Sequence, residues 1–511
     1  MTSNISFWGL IAQRAALSPE QPFTLDEQGR TLSYGQYKAQ AQRTAAGLYR
    51  MGIRAGSKVA WQLPTCQESL LLTAALSRLG AAQVPLLPSL REREIGHICR
   101  QVKPQMLIGS PELNGFDFAS VAHRIKVDVP DMEIYLAQKN SLPQGQELPV
   151  EADSTEGSTD KLPLRWMFSS SGTTADPKVC LHTDAMLIST AFGMVAALEL
   201  WSEDVVPLVF PFTHVGGVIW LSAFMLSGCR CLLVESFSEQ VIPFLSANGT
   251  TVAGAGTTFH LAYLKAQRQH GATPLMPQVR CFTGGGASKP AELHYEVKRE
   301  IGGVGVVSGY GLTECPIVTM NTVRDPDDKM AGSEGRVLPG MQLKILKGDG
   351  SIAVTGEAGE ICVKGPHLCE RYLDSSLNER AFDADGYLKT GDLGCVDEGG
   401  WLTVTGRLKD IIVRKGENIS AAKIENLLYQ HPKIMDVAVI GLPDQERGEL
   451  ACAVVELTSE DRRLSLEELF VYCRDSGLVT QEAPERLEIV NTLPRNASGK
   501  VLKNKLRDQF S

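Results

Sequence analysis

Apolar residues in the first part of the chain alternate between two periods. They recur every three to four positions in residues 34–52, which predicts an amphipathic helix, and residues 58–63 have the pattern of a short buried strand. A second helix is predicted at 68–80, ending at Gly80, and a second strand at 81–87. Such alternation favours a parallel or mixed sheet covered by helices, the α/β class.

The same alternation resumes after a polar segment. Residues 136–163 are rich in Gly, Pro, Ser and Asp, which predicts a loop, and we expect this loop to separate two subdomains. Beyond it, apolar runs predict strands at 164–168, 205–210, 229–235 and 250–256.

The last hundred residues form a compact β/α pattern. Helices are predicted at 421–431 and 465–477, and strands at 436–442 and 451–457. A set of this size corresponds to one small domain.

Composition narrows the class of protein. A length of 511 residues excludes a single small module, and 43% hydrophobic with 21% charged residues is typical of a globular chain. Fifty basic against 59 acidic residues give a net charge of -9, which argues against nucleic acid as a partner. No apolar run reaches the ~18 residues of a spanning helix, so we expect no integral membrane association. The 12 scattered cysteines suggest neither disulfides nor a metal site, which favours the reducing cytoplasm.

Residues 169–178, SSSGTTADPK, carry the most informative chemistry. The backbone N–H groups and hydroxyls of such a turn can converge on an oligophosphate, and Lys178 adds positive charge. Considered alone, a segment of this composition is more often an ordinary polar loop.

This segment resembles the phosphate loop of the adenylate-forming superfamily, which contains acyl-CoA synthetases, peptide-synthetase adenylation domains and beetle luciferases. Four further motifs resemble that family in the same order: GYGLTE at 309–314, TGDLG at 390–394, GRLKDIIVRKGENIS at 406–420 and LPRNASGK at 493–500. Five ordered motifs make the resemblance specific. Ala175 and Val179 replace two glycines of the usual loop, so loop mobility or phosphate approach could differ.

The resemblance implies a large N-terminal multi-sheet α/β domain, residues 1–406, and a small mobile α+β C-terminal domain, residues 407–511. Members of the family use ATP to convert a carboxylate into an acyl-adenylate with release of pyrophosphate, and a thiol then displaces AMP. ATP, Mg²⁺ and coenzyme A are therefore the expected cofactors and co-substrates. Because the first step brings two anions together, the site must supply positive charge.

The motifs also imply roles for single residues. Lys500 matches the catalytic lysine, Thr313 would bind the α-phosphate, and Glu314 would hold Mg²⁺ together with Thr174. Tyr310 would pack on adenine, and Asp392 would bind the ribose hydroxyls. The full set of implied nucleotide contacts is Ser169, Ser170, Ser171, Gly172, Thr173, Thr174, Lys178, Gly309, Tyr310, Gly311, Asp392 and Arg407.

A hinge and a coenzyme A passage are implied in the fourth motif. Lys409 matches the residue about which the C-terminal domain rotates between the two half-reactions. Gly416 would line the pantetheine passage, and Arg414 and Lys415 are available for the phosphates of coenzyme A. Such a basic pair is as often plain surface.

Residues 211–217, PFTHVGG, fall where the family places its acyl pocket, and His214 resembles the histidine of fatty and aryl acyl-CoA synthetases. No aspartate lies between Phe210 and Ser236, which argues against an amino-acid substrate because a buried ammonium group needs a partner. The implied substrate is a fatty, alicyclic, steroid-derived or aromatic acid. The other implied walls of the pocket are Val215, Gly217, Trp220, Gly284, Gly285 and Gly286.

Three functions stay open at this point. An acid:CoA ligase is favoured, because residues 359–394 show none of the extra length typical of a fatty-acyl-AMP ligase. The alternatives are a stand-alone acyl-adenylating ligase that delivers to a carrier protein and a non-catalytic nucleotide-binding relative. The retained Lys500, Glu314 and Asp392 disfavour the last. The expected partners are a small carboxylic acid and coenzyme A, and a homodimer is left open.

Overall fold

The computed structural model describes residues 5–113, 115–138, 141–148, 163–170, 176–286, 289–414, 417–444, 446–458, 463–496 and 499–511. Most helices cover the faces of sheets. None of the helices in these ranges is both long and apolar enough to cross a membrane. The helices are α1 (Phe7–Leu17), α2 (Tyr34–Arg50), α3 (Gln67–Arg78), α4 (Glu92–Val102), α5 (Phe118–Asp128), α6 (Asp184–Leu198), α7 (Val215–Ser227), α8 (Ile242–Ala247), α9 (Thr257–His270), α10 (Ala291–Glu300), α11 (Asp327–Gly332), α12 (Asn378–Ala381), α13 (Ala421–Leu428), α14 (Leu466–Asp475) and α15 (Lys503–Phe510).

The largest sheet is mixed and carries the phosphate-loop strands near one edge. Its strands, in spatial order, are β20 (Arg371–Tyr372), β10 (Lys178–Thr183), β9 (Leu164–Ser170), β4 (Ala82–Pro85), β3 (Lys58–Gln62), β5 (Met106–Gly109) and β8 (Glu133–Leu136). The expectation that residues 136–163 separate two subdomains is wrong. β9 follows that segment but pairs with β4, with Gln83 opposite Trp166, so the strands on both sides of the segment belong to one sheet.

Two further sheets stand beside it. The first has the order β11 (Val205–Leu208), β12 (Arg230–Leu233), β1 (Pro22–Asp26) and β2 (Thr31–Ser33). The second has the order β13 (Val252–Ala253), β14 (Cys281–Gly284), β15 (Val306–Leu312), β16 (Cys315–Met320) and β17 (Arg336–Val337). β14 and β15 are parallel, with Gly284 opposite Ser308, so their carboxyl ends bring the two glycine-rich motifs side by side.

A smaller antiparallel sheet carries the third motif. Its order is β18 (Gln342–Leu346), β19 (Gly359–Lys364), β21 (Leu388–Val396) and β22 (Leu402–Arg407). The short strands β6 (Glu112–Leu113) and β7 (Phe116–Asp117) form a separate two-stranded sheet.

The last sheet is formed after residue 410. Its order is β24 (Glu417–Ser420), β23 (Ile411–Arg414), β26 (Gly448–Leu457) and β25 (Ile434–Asp444), and β27 (Arg486–Ile489) also pairs with β26. Alternate residues of β25 and β26 pack on opposite faces, Val439 in one apolar cluster and Ile440 in another. The predicted boundary after residue 406 falls one residue before the end of β22, and the division into two domains stays a prediction.

The predicted elements are confirmed with small differences at their ends, except that the strand predicted at 250–256 is reduced to Val252–Ala253. The helix predicted at 34–52 is α2, which begins after an N-cap at Ser33, and the helix predicted at 68–80 is α3. Gly80, with φ of 65°, lies just beyond α3, as a residue tolerant of positive φ should. The C-terminal helices and strands are α13, β25, β26 and α14.

Candidate active site

A cavity of about 570 Å³ lies where the last sheet meets the rest of the chain. Its lining comes from β15, from the β21–β22 pair, from the turn after β22 and from the loop before α15. Eight of the residues singled out in the sequence line it: Gly286, Gly309, Tyr310, Gly311, Asp392, Arg407, Lys409 and Lys500. The structure therefore brings together residues from four of the five motifs or their flanks.

Asp392 is the centre of a hydrogen-bonded group in this cavity. It is 4% exposed, accepts a hydrogen bond from Tyr310 Oη at 2.8 Å, and pairs with Arg407 Nε at 2.6 Å. The register of β21 against β22 places Asp392 opposite Arg407. Because an ionised carboxylate offers about four lone-pair sites, it can still accept hydrogen bonds from two hydroxyls. Burial and the nearby Asp392 charge raise the pKa of Tyr310, which keeps its hydroxyl a donor.

Lys500 reaches the same cavity from the loop before α15. Its backbone N–H donates to Asn496 Oδ1 at 2.9 Å, and the Asn496 N–H donates to the Lys500 carbonyl at 2.9 Å. Thr258 Oγ1, at the start of α9, donates to the Gly499 carbonyl at 3.2 Å, which ties this loop to the larger part of the chain. Burial, with the positive charge of Arg407 next in size, lowers the pKa of Lys500 to about 8.

Lys409 lies in a single 3₁₀ turn, Leu408–Asp410, which follows β22 directly. Burial lowers the pKa of Lys409, and Arg407 lowers it further. Asp410 pairs with Arg507 of α15 at 2.8 Å. This turn joins the sheet that carries Asp392 to the last sheet, and it lines the cavity.

Thr313 and Glu314 form the turn between β15 and β16. His182 Nε2 donates to the Thr313 carbonyl at 3.0 Å, and burial lowers the pKa of His182 to about 4, so this imidazole stays neutral. Glu314 is 7% exposed and accepts a hydrogen bond on Oε1 from Tyr372 Oη at 2.7 Å. These contacts fix both the backbone and the side chain of the turn.

The surroundings of Glu314 fit Mg²⁺. Its second carboxylate oxygen has no hydrogen-bond partner among the described residues, and the carboxylate is held in one orientation. Mg²⁺ is usually bound by one or two carboxylates together with phosphate oxygens and water. Thr174, the other predicted metal ligand, lies outside the described residues.

Only the ends of the predicted phosphate loop are described. Ser169 and Ser170 end β9, and Lys178 begins β10, with Ser170 opposite Lys178 in the antiparallel pair. The Lys178 ammonium lies 5.5 Å from the centre of the Tyr372 ring. The remaining predicted contacts, Ser171, Gly172, Thr173 and Thr174, lie outside the described residues, as does Ala175.

His214 is the N-cap of α7. Its Nδ1 accepts a hydrogen bond from the Gly216 N–H at 3.2 Å, and burial lowers the pKa of the imidazole to about 4. Gly217 follows in the first turn, where a Cβ would lie 2.1 Å from the Phe212 carbonyl oxygen. Thus His214 and Gly217 both have a structural reason to be present at the start of this helix.

Most of the other predicted acyl-pocket residues are not part of the cavity lining: Val215, Trp220, Gly284 and Gly285. Val215 and Trp220 are 3% and 8% exposed and belong to the main apolar core. The ring of Trp220 packs on that of Phe224, with 5.8 Å between the ring centres. Gly284 ends β14 and Gly285 follows it, where a Cβ would lie 3.1 Å from the Gly309 carbonyl oxygen. Within the described residues, Gly286 is the member of this predicted set that lines the cavity.

Arg414 is engaged inside the last sheet. Its guanidinium pairs with Glu485 Oε1 at 2.6 Å and donates to the Gln481 carbonyl at 2.5 Å. Lys415 and Gly416, the other residues predicted to meet coenzyme A, lie outside the described residues. Arg414 would have to leave these partners before it could bind a phosphate.

The motifs missed several side chains around the cavity. Lys289 and Glu334 both line it, and the Lys289 ammonium donates to the carbonyls of Met330 and Ala331 at 2.8 and 2.7 Å, which caps α11. Burial lowers the pKa of Lys289 and raises the pKa of Glu334. Neither residue stands in a motif, so no spacing in the sequence connected them to the site.

The comparisons with known proteins agree with this geometry. The family model described as AMP-binding enzyme matches residues 11–373, and the model of the AMP-binding enzyme C-terminal domain matches residues 423–500. A medium-chain fatty-acid–CoA ligase of Escherichia coli is 29% identical over 519 residues, covering 97% of this chain and 88% of the relative. A salicyl-AMP ligase / salicyl-S-ArCP synthetase of Mycobacterium tuberculosis is 30% identical over 492 residues, covering 94% of this chain and 85% of the relative.

One solved structure among the similar ones is the o-succinylbenzoate coenzyme A synthetase of Bacillus subtilis in complex with ATP and magnesium ion. It is 27% identical, superposes with a TM-score of 0.83, and the match covers 98% of this chain and 99% of that one. The similarity therefore spans both the large part of the chain and its last sheet.

Proposed function

The chain belongs to the AMP-binding enzyme family, whose adenylate-forming ligases activate a carboxylic acid with ATP, and we propose that this member passes its acyl group to coenzyme A. The observation that supports the adenylation step is that Lys500, whose pKa is lowered by burial, lines the same cavity as Asp392 and Arg407. The acceptor and the identity of the acid are the parts proposed here.

In the proposed reaction the residues of the site have separate roles. Lys500 stabilises the negative charge that builds up when the carboxylate attacks the α-phosphate, because a fixed cation in a buried site acts strongly on developing charge. Tyr310 faces the base and Asp392 accepts hydrogen bonds from the ribose. Lys178 and the hydroxyls of the phosphate loop bind the outgoing pyrophosphate. Mg²⁺, held at Glu314, would neutralise phosphate charge.

We further propose that the chain works as two domains, residues 1–406 and 407–511, with the hinge at Lys409. The 3₁₀ turn that contains Lys409 is the direct link between β22 and β23. A rotation there would carry Lys500 away from the cavity. Glu485 lies in the same proposed domain as Arg414, so Arg414 would separately have to leave Glu485 to reach the phosphates of coenzyme A. Arg414, Lys415 and Gly416 are the proposed contacts of that second step.

Coenzyme A is the preferred acceptor for a structural reason. The connection from β19 to β21, whose residues are all described, consists of the short elements β20 and α12. An extra unit at this place would hinder rotation of the C-terminal domain. Delivery to a carrier protein is the second candidate, and the similarity to the salicyl-AMP ligase / salicyl-S-ArCP synthetase is what favours it.

The proposed substrate is an apolar acid of the fatty, alicyclic, steroid-derived or aromatic kind. Support comes from residues 211–227, which contain no charged side chain, and from His214, whose pKa burial lowers to about 4 so that the ring is neutral. No carboxylate in residues 211–227 stands ready to pair with an ammonium group, which disfavours amino acids.

The test is pyrophosphate release from ATP and Mg²⁺ across a panel of carboxylic acids, with coenzyme A, with a phosphopantetheinylated carrier protein, and with neither. We expect release with one class of acid and faster turnover when coenzyme A is present. Turnover with the carrier protein but not with coenzyme A would replace the proposed acceptor. Amino acids as the best substrates would contradict the proposed apolar pocket.

A further inference from the structure

Tyr372 stands between two predicted nucleotide-site residues that are far apart in sequence. It is 5% exposed and lies on β20, which pairs with β10 so that Tyr372 is opposite Cys180. Its hydroxyl donates to Glu314 Oε1 at 2.7 Å, and the centre of its ring lies 5.5 Å from the Lys178 ammonium. One side chain therefore contacts both the proposed metal ligand and the lysine of the phosphate loop.

The backbone around Tyr372 fixes this arrangement. The Cys369 N–H donates to the Glu314 carbonyl at 2.7 Å, and the Leu373 N–H donates to the Val179 carbonyl at 2.7 Å. Residues 369–373 are thus bonded at one end to the turn that holds Glu314 and at the other to the start of β10. Tyr372 lies in this short strap, directly before the Leu373 anchor.

The chemistry of the two contacts differs. A phenol that donates to one carboxylate oxygen fixes the rotamer of Glu314 and leaves the second oxygen for a cation. An ammonium over an aromatic face is attracted by the ring, and the attraction grows when water is excluded. Burial and the Glu314 charge raise the pKa of Tyr372, so the hydroxyl stays a donor at all working pH values.

We propose that Tyr372 is a positioning residue that orients Glu314 for Mg²⁺ through its hydroxyl and Lys178 for the ATP phosphates through its ring, so that binding of the metal and of the nucleotide are coupled. This inference rests on the proposed roles of Glu314 and Lys178. Tyr372 itself touches neither the metal nor the reacting atoms. No motif singled it out in the sequence.

The two contacts can be separated by substitution. Tyr372→Phe removes the hydroxyl and keeps the ring, so the Mg²⁺ concentration needed for half-maximal ATP binding should rise about 10-fold, the lower end of the scale for losing an outer partner of a metal ligand. Affinity for ATP without Mg²⁺ should stay within about 2-fold. Tyr372→Leu removes both contacts, and ATP binding without Mg²⁺ should then weaken by about 3–10-fold as well.

The experiment is equilibrium binding of ATP by calorimetry, titrated over Mg²⁺ and performed without any acid or coenzyme A. Its readout does not depend on which acid is the substrate. Tyr37→Phe is the matched control, since Tyr37 is fully buried and its hydroxyl donates to the Leu70 carbonyl at 2.8 Å, away from the site. Glu314→Gln, alone and combined with Tyr372→Phe, tests whether the hydroxyl acts through the carboxylate.

We expect Tyr372→Phe to change the Mg²⁺ dependence in the wild-type background and to add no further change in the Glu314→Gln background. If Tyr372→Phe behaves like Tyr37→Phe, with a lower melting temperature and an unchanged Mg²⁺ dependence, the positioning role is overturned. If Glu314→Gln alone leaves the Mg²⁺ dependence unchanged, the metal role of Glu314 is overturned, and the inference falls with it. The two failures are therefore distinguishable.

Discussion

Replacement of Lys500 by alanine should slow formation of the acyl-adenylate by about 10²–10³-fold, the scale for losing one preorganised electrostatic contact. The same variant should still form the thioester from a pre-made acyl-adenylate at close to the normal rate. The physical reason is that Lys500 lies in the cavity with Asp392 and Arg407 for the first step, and the proposed rotation carries it away before the second.

The structure also sets the pH dependence of that step. Burial, and Arg407 after it, lower the pKa of Lys500 from 10.5 to about 8 in the nucleotide-free protein. If the protonated form is the active one, kcat/KM for adenylation is nearly full at pH 7 and falls through pH 8. Above that it should drop tenfold per pH unit, which corresponds to about 1.4 kcal/mol of transition-state stabilisation per unit.

The assay is pyrophosphate release at low ATP concentration between pH 6 and pH 10, so that kcat/KM reports the free enzyme. Lys500→Arg serves as the second variant, because arginine stays charged throughout this range and should remove the descending limb even if activity is reduced. Thioester formation from pre-made acyl-adenylate is the internal control and should lack the limb that Lys500 causes.

Two results would refute this reasoning. A descending limb near pH 8 that persists in Lys500→Ala would assign the titration to another group. Equal loss of both half-reactions in Lys500→Ala would show that the lysine supports the structure of the site and not adenylation in particular.

Two further changes test other parts of the structure. Asp392→Asn removes the charge that pairs with Arg407 Nε at 2.6 Å. The KM for ATP should therefore rise roughly tenfold, while the KM for the acid stays unchanged. A change in the acid KM alone would contradict the proposed ribose role. Gly217→Ala brings a Cβ within 2.1 Å of the Phe212 carbonyl oxygen. This overpacking should reduce the free energy of unfolding by about 1–3 kcal/mol and lower the melting temperature by several degrees. Gly348→Ala is its control, since a Cβ there has no neighbour within 4 Å among the described residues, and equal melting temperatures of the two variants would contradict the prediction.

Local apolar periodicity was enough to predict α2, α3, β3 and β4, because each buries a face whose repeat is visible within a short window. The failure at residues 136–163 has a different origin. The pairing of β9 with β4 places Trp166 opposite Gln83, and a contact between such distant positions leaves no local pattern. The polar composition of residues 136–163 therefore resembled that of a subdomain boundary, although the strands on both sides belong to one sheet.

In the candidate site, too, some residues could be predicted from the sequence and others could not. The motifs named Tyr310, Asp392 and Arg407, which the structure joins by hydrogen bonds. They did not name Tyr372, because it contacts Glu314 across a separation of 58 residues and has no distinctive neighbours in the sequence. Composition likewise could not tell that Trp220 packs into the core against Phe224, since an apolar residue suits a pocket wall and a core equally well.

The cap formed by His214 fixes more than the start of a helix. Because Nδ1 accepts from the Gly216 N–H, the single proton of the neutral ring must sit on Nε2, and with a pKa of about 4 the ring does not gain charge near neutrality. Lys500, in contrast, changes charge just above neutrality. In the proposed function, recognition of the acid at His214 and its activation at Lys500 therefore depend on groups with separate titration ranges. On that proposal, a rise in pH above 8 should slow adenylation without changing the preference among acids.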